Sequence, residues 1–176
     1  MCITHKHALT EENLRVILDK FNSQNLDDLL TIAIIFMGFH TLMHLGELTV
    51  PNNESKWSLL KTILQHTIIL TPTTYMFMLP LHKADWFFEG NTVMVEWHAS
   101  SLSPHWPFTT YLEARDTWFP LYPHLWLTST GSPLSHSWVM QQLKDTLGQD
   151  VTTHYLQSRG ATALEIAGTP DNHIQA

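Results

Sequence analysis

The most strongly apolar part of the chain lies between residues 26 and 48. Asn25 or Asp27 is suited to cap a helix at its start, and Pro51 with the polar run "NNES" is suited to end it. Apolar residues recur near helical spacing on one face and fill the other faces too, which predicts one long, central and enclosed helix. The two sets are Leu26, Leu29, Leu30, Ala33, Met37, Leu45 and Leu48, then Ile32, Ile35, Phe36 and Phe39.

Further helices are predicted on both sides of this one. Thr10 followed by two glutamates is typical of a helix N-terminus, and Gly148 is typical of a C-terminal cap. A serine before "SWVMQQLKDTLG" provides another N-cap. The expected helices are Glu11 to about Phe21, residues 107–119, a helix capped by Ser135 or Ser137 and closed at Gly148, and one from about His154 to Ala167.

Three short runs between the helices are rich in β-branched and aromatic residues and are bounded by proline or glycine, which predicts antiparallel strands. They cover residues 59–70, 73–81 and 91–98, and residues 82–90 connect the last two. The sequence therefore predicts a mainly α domain with a small three-stranded antiparallel sheet, an α+β fold. We expect residues 1–8 to be a flexible tail and residues 9–176 to form the domain.

Composition narrows the classes of function. The chain is 44% hydrophobic and 14% charged, enough for one core, and its formal charge of −7 with nine lysines and arginines disfavours a generic polyanion binder. Cys2 is the only cysteine, so an internal disulfide and a cysteine-based zinc cluster are excluded. The N-terminus has no apolar signal-peptide core, and residues 29–45 are short for a membrane span and contain two histidines. We expect no membrane contact and a nuclear or cytoplasmic location.

Metal and hydrolase chemistry find little support in the pattern. On one continuous helix, His40 and His44 would share a face with Glu47, a spacing that binds zinc when further ligands converge. The helix is apolar all round and no third histidine has a defined spacing to the pair, so two histidines at the polar end of a core helix are favoured. A Gly-x-Ser-x-Gly elbow and a glycine-rich lysine motif are both absent from the sequence. We expect no metal and no cofactor.

Three separated motifs together resemble a known family. They are "MHLGELT" at a helix end, "LHKADWFFEGNT" around Lys83, and "THYLQSRGATALEIAG". Their order and spacing resemble the catalytic domain of tyrosine recombinases (phage-integrase-like enzymes), and more closely the recombinase-like proteins of mushroom-forming fungi. The resemblance covers roughly residues 8–176. It implies the catalytic-core fold of DNA breaking-rejoining enzymes and DNA as the partner.

The resemblance also assigns site residues. In that family two arginines grip the scissile phosphate, a hairpin lysine protonates the departing sugar oxygen, a histidine assists, and a tyrosine attacks phosphorus. Glu47, Lys83 and His154 match the acidic companion, the hairpin lysine and the second-box histidine. His44 and Gln157 occupy the two arginine positions. No tyrosine follows the second box before Ala176, which we interpret as a missing nucleophile segment.

These departures predict a degenerate recombinase-like domain whose DNA contact is weak or ancestral and which is inactive as this chain. Arg→His and Arg→Gln each arise by one transition in a codon that starts with CG, which suggests decay of a mobile-element gene. Trp86 and His136 stand where the fungal group leads us to expect a basic residue. Two alternatives stay open: a non-catalytic DNA- or protein-binding module on the same fold, and an active enzyme that receives its tyrosine in trans.

Overall fold

The computed structural model describes residues 9–21, 25–41, 43–80 and 91–151. Within these ranges five α-helices surround one core, and a three-stranded sheet lies between the third and fourth helices in the sequence. The helices are α1 Glu11–Lys20, α2 Leu26–Thr41, α3 Leu45–Leu48, α4 His105–Trp118 and α5 His136–Leu147; the strands are β1 Ile69–Leu70, β2 Thr74–Leu79 and β3 Asn91–Glu96.

Helix α2 is the centre of the fold, as its all-round apolar sequence predicts. Its residues from Leu29 to Gly38 are all buried, and it packs against α1, α3 and α4. The Asn25 side chain accepts a hydrogen bond from the Asp27 N–H at 2.9 Å, so it closes the helix start as expected. Burial on every face leaves α2 with no polar side except at its ends.

One part of the helix prediction is wrong, because α2 does not continue to Leu48. It ends at Thr41, and His44 has extended backbone angles (φ −67°, ψ 138°) before α3 begins at Leu45. The Glu47 carboxylate accepts a hydrogen bond from the His44 N–H at 2.8 Å, which starts a new helix instead of continuing the old one. An N-terminal cap inside the apolar run therefore overrides its helical periodicity.

The sheet has the order β1-β2-β3 with antiparallel pairing, as predicted. Tyr75 pairs with Val95 facing the core, while Met76 pairs with Met94 on the opposite face. The first strand is shorter than predicted: only Ile69–Leu70 pairs, and residues 59–67 contain two 3₁₀ turns. This segment forms hydrogen bonds with the residues before α5 instead: the carbonyl of Ile63 accepts the N–H of Leu125 at 2.9 Å.

The two later helices match their predicted positions closely. Ser135 caps α5 by accepting the Trp138 N–H at 3.3 Å, and Gly148 closes it with φ +103°. A left-handed φ of this kind favours glycine. The tail 1–8, the connection 82–90 and the helix predicted from His154 lie outside the described residues. None of the described helices has the length and apolar character needed to cross a bilayer.

Candidate functional site

The first motif of the candidate site is held at the start of α3 by its own backbone. The His44 carbonyl accepts the N–H of Glu47 at 2.9 Å, while the Glu47 carboxylate accepts the N–H of His44 at 2.8 Å. The His44 side chain is exposed and that of Glu47 is half-buried. The pair is therefore a structural cap whose acidic member is fixed in place and whose imidazole faces solvent.

The segment that follows α3 is joined to the start of α5. Val50 donates its N–H to the Leu134 carbonyl at 2.8 Å, and its own carbonyl accepts the His136 N–H at 3.3 Å. The Asn52 side chain accepts the Ser137 N–H at 2.8 Å. These bonds fix α3 relative to the N-terminus of α5, so the position of Glu47 is set by two separate parts of the chain.

A small cavity of about 10 Å³ lies beside Glu47. Lys61 and Trp126 also line it, and the buried indole N–H of Trp126 has no protein hydrogen-bond partner among the described residues. A cavity of this size holds one water molecule and no larger ligand. We therefore do not regard it as a substrate pocket.

The other three predicted site residues lie outside the described part of the chain. Lys83 belongs to residues 81–90, and His154 and Gln157 belong to residues 152–176. Their convergence with His44 and Glu47 therefore stays a prediction. The structure does describe the two strands that flank Lys83 in the sequence. The pair Leu79↔Asn91 ends the β2–β3 pairing, so the connection that contains Lys83 joins the two strands at that end of the sheet.

Arg115 is a residue whose importance the sequence patterns did not indicate. Its side chain is fully buried near the C-terminus of α4 and forms an ion pair with Asp116 at 2.6 Å. The guanidinium also donates to the carbonyls of Phe119 (3.1 Å), Tyr122 and His124 (2.7 Å). An arginine in the last turn of a predicted helix, just before the proline-containing turn "FPLYP", is the pattern that would have found it.

Neither arginine in the described ranges serves as a phosphate clamp in this structure. Arg115 is committed to the turn after α4, and Arg15 lies on exposed α1, where it pairs with Glu11 at 3.5 Å and Glu12 at 3.3 Å. A phosphate clamp needs an accessible guanidinium with unused donors. Both described guanidiniums are instead used within the fold.

The structure separates the two histidines of the zinc hypothesis. His40 lies in the last turn of α2, whereas His44 follows the end of that helix, so the two do not share a helix face as they would on one continuous helix. His40 contacts Leu102 and His98 instead, and burial lowers its pKa. Within the described residues no group of three or more His, Cys, Asp or Glu side chains is arranged to hold a metal ion.

Comparison with known proteins gives a similarity to a solved structure. No protein-family model and no curated protein matches the sequence. The crystal structure of the XerH site-specific recombinase bound to difH substrate, a pre-cleavage complex, matches with a TM-score of 0.60 at 18% sequence identity. The match covers 96% of this chain and 46% of the XerH chain, so this chain spans about half the length of that protein. The chain therefore has a tyrosine-recombinase catalytic-core-like fold, mainly helical with a three-stranded antiparallel sheet.

Proposed function

We propose that residues 9–176 form a tyrosine-recombinase-like domain that has lost its arginine grip on the scissile phosphate and does not cleave DNA. The observation that carries this proposal is the start of α3, where the resemblance expects an arginine and the chain has His44. Its exposed imidazole stands beside a Glu47 that still caps the helix. The acidic companion is thus kept for the fold, and the group it accompanied is replaced.

The expected loss in reaction rate supports the proposal that the chain is inactive. Removing one preorganised donor from a charge-stabilising site typically costs about 3–4 kcal/mol, or roughly 100- to 1000-fold in rate. His44 and Gln157 together replace two such donors. Histidine offers one donor at most to a given oxygen and is charged mainly below its pKa of about 6.5, whereas arginine offers paired donors with a permanent charge. Lys83 and His154 would be inherited positions that no longer support catalysis.

DNA binding by this domain should be weak or ancestral. XerH was solved with its difH substrate, but this chain has a formal charge of −7 and only nine lysines and arginines. Binding driven by phosphate contacts needs those cations. The outer face of the sheet is apolar, with Ile69, Met78 and Met94 about half exposed. This observation favours protein over DNA as the partner of the alternative, non-catalytic module.

A salt-titrated mobility-shift experiment tests the lost grip. The wild-type chain, the H44R/Q157R double variant and the charge-matched control E11Q/E12Q are titrated with duplex DNA from 20 to 200 mM salt. The control raises the net charge by the same two units on exposed α1. We expect a weak wild-type shift that disappears with salt, and a slope steeper by about 1 in the double variant alone. Tight, steeply salt-dependent wild-type binding, or equal gains in both variants, would contradict the proposal.

A second proposal concerns the evolutionary origin of the domain. We infer a decayed copy of a mobile-element gene related to the fungal recombinase-like proteins. The support is that Arg→His and Arg→Gln can each arise by one transition in a codon that starts with CG. Sequencing of other genomic copies tests this: intact copies should encode arginine at positions 44 and 157, and copies that uniformly encode histidine and glutamine would contradict decay.

A further inference from the structure

Two histidines from different parts of the chain meet at the C-terminal end of α2. His40 lies in its last turn, and His98 lies in the segment between β3 and α4. Their ring centroids are 5.1 Å apart. When two imidazoles bind one tetrahedral zinc ion at about 2.1 Å per nitrogen, their centroids also lie about 5 Å apart. The observed separation is therefore compatible with a metal ion shared by the two rings.

The hydrogen bonding of His40 leaves one ring nitrogen available as a metal ligand. Its Nε2 lies 2.9 Å from the Leu102 carbonyl oxygen, which can only accept, so Nε2 carries the proton. The lone pair of the neutral ring is then on Nδ1, for which the structure gives no hydrogen bond among the described residues. Metal-binding histidines commonly donate their second ring N–H to a backbone carbonyl in this way, which fixes the ring and its tautomer.

A carboxylate suited to be the third ligand lines the same groove. The groove has a volume of about 410 Å³ and lies between the end of α2 and β3, and Glu96 at the end of β3 lines it together with His40 and His98. Glu96 is exposed, so its carboxylate can rotate without disturbing the core. No three-ligand set is already assembled in the described residues, so binding requires this rotation.

We propose that His40, His98 and Glu96 bind one divalent transition-metal ion of the zinc type, with water completing the coordination. Two imidazoles and a carboxylate suit zinc, nickel and copper and disfavour magnesium and calcium. The ion would join the end of α2 to the segment that leads into α4. Because it binds the folded chain, it stabilises the fold by an amount that grows with its concentration.

Zinc binding to the tag-free full-length chain is measured by calorimetry and by the shift in Tm. All proteins carry H5Q and H7Q, which remove the histidine pair of the N-terminal tail. H98A tests the site, and H66A, another exposed histidine, is the matched control. We expect one zinc ion per chain, at least tenfold weaker binding in H98A, a smaller loss in E96Q, and wild-type binding in H66A. The Tm increase should follow the same order.

Copper(II) provides a second measurement that does not depend on stability. Its electron paramagnetic resonance spectrum should show coupling to two imidazole nitrogens in the parent protein and to one in H98A. Absence of saturable zinc binding would overturn the proposal. So would equal zinc affinity in H98A and its parent, which would place the ion at other histidines and leave His40 and His98 as a ring–ring contact only.

Discussion

The end of α4 and the start of α3 differ in how they use a basic side chain. At the end of α4, Arg115 is fully buried and holds the following turn through main-chain carbonyls. At the start of α3, where the family resemblance expects arginine, His44 is exposed and the backbone and Glu47 form the cap without its ring. An arginine that holds the fold is present, and we propose that one that would hold a phosphate is replaced. On that proposal, stability and chemistry reside in different residues.

The largest expected effect is at Arg115. R115H makes the same type of substitution as the one inferred at position 44, but inside the protein. It removes charged hydrogen-bond donors from three carbonyls and from Asp116, which keeps its hydrogen bond from the Gln65 side chain. Losing several charged hydrogen bonds typically costs about 3–5 kcal/mol. We expect R115H to lower the free energy of unfolding by that amount in urea titrations followed by tryptophan fluorescence. The control R15Q, on exposed α1, should change it by less than about 0.5 kcal/mol. Equal losses of stability in R115H and R15Q would contradict the role assigned to Arg115 in stabilising the fold.

A smaller loss is expected at Tyr111, which belongs to the same buried framework. Its hydroxyl lies 3.1 Å from the Leu125 carbonyl and accepts the Leu127 N–H at 2.8 Å. Y111F should lower the free energy of unfolding by about 1–2 kcal/mol, because these buried groups lose their partner. Tyr75 is the matched control: its buried hydroxyl has no protein partner among the described residues. Y75F should be neutral or stabilising in the same urea titration, and an equal loss in both variants would refute this difference.

The response to pH should be weaker still and should come from two histidines: His40, whose pKa burial lowers, and His124 beside Arg115. Burial, and then the Arg115 charge, lower the pKa of His124 in the folded chain. The unfolded chain therefore takes up this proton first as the pH falls below about 6.5, so the folded state loses stability. We expect the wild-type Tm to fall more between pH 7 and pH 5 than the Tm of H124Q. H66Q, at an exposed histidine, should keep the wild-type dependence. Identical curves for H124Q and the wild type would contradict the assignment.

The smallest expected effect is at the start of α3. H44R restores the family residue where the imidazole is exposed and where the backbone cap does not use it. The free energy of unfolding should change by less than about 0.5 kcal/mol. E47A, which removes the side chain that accepts the His44 N–H, should cost about 1 kcal/mol. A large loss in H44R would show that histidine at this position is required by the fold.

The sequence predicted most of the architecture because its patterns are local. Thr10, Ser135 and Gly148 mark helix ends by their own chemistry, and α2 is apolar on every face. The patterns failed in two places, one because a distant segment competes and one because a local cap does. Residues 59–67 resemble a strand but pair with the segment around His124 and Leu125. The apolar run ending at Leu48 resembles one helix, but the short-range cap between His44 and Glu47 divides it.

The candidate site was less predictable for a physical reason. Glu47 and His44 are identified by a motif, and the structure describes their backbone arrangement. Arg115 contacts groups one to nine residues away, but its full burial depends on how the rest of the chain packs. The role of His98 depends on a contact across a long sequence distance, since His98 is 58 residues from His40. No periodicity or motif encodes such a contact. The positions assigned to Lys83, His154 and Gln157 rest on the family resemblance and stay predictions.

The most direct measurement asks whether this chain forms a covalent bond with DNA. The purified full-length chain is incubated with nicked duplexes from a random-sequence pool, which trap a cleaving tyrosine recombinase as an adduct, and denaturing gels with peptide mass spectrometry detect any linkage. XerH on difH duplex is the positive control. We predict an adduct for XerH and none for this chain. A DNA-linked tyrosine in this chain would contradict the central claim that the recombinase fold persists here without strand cleavage.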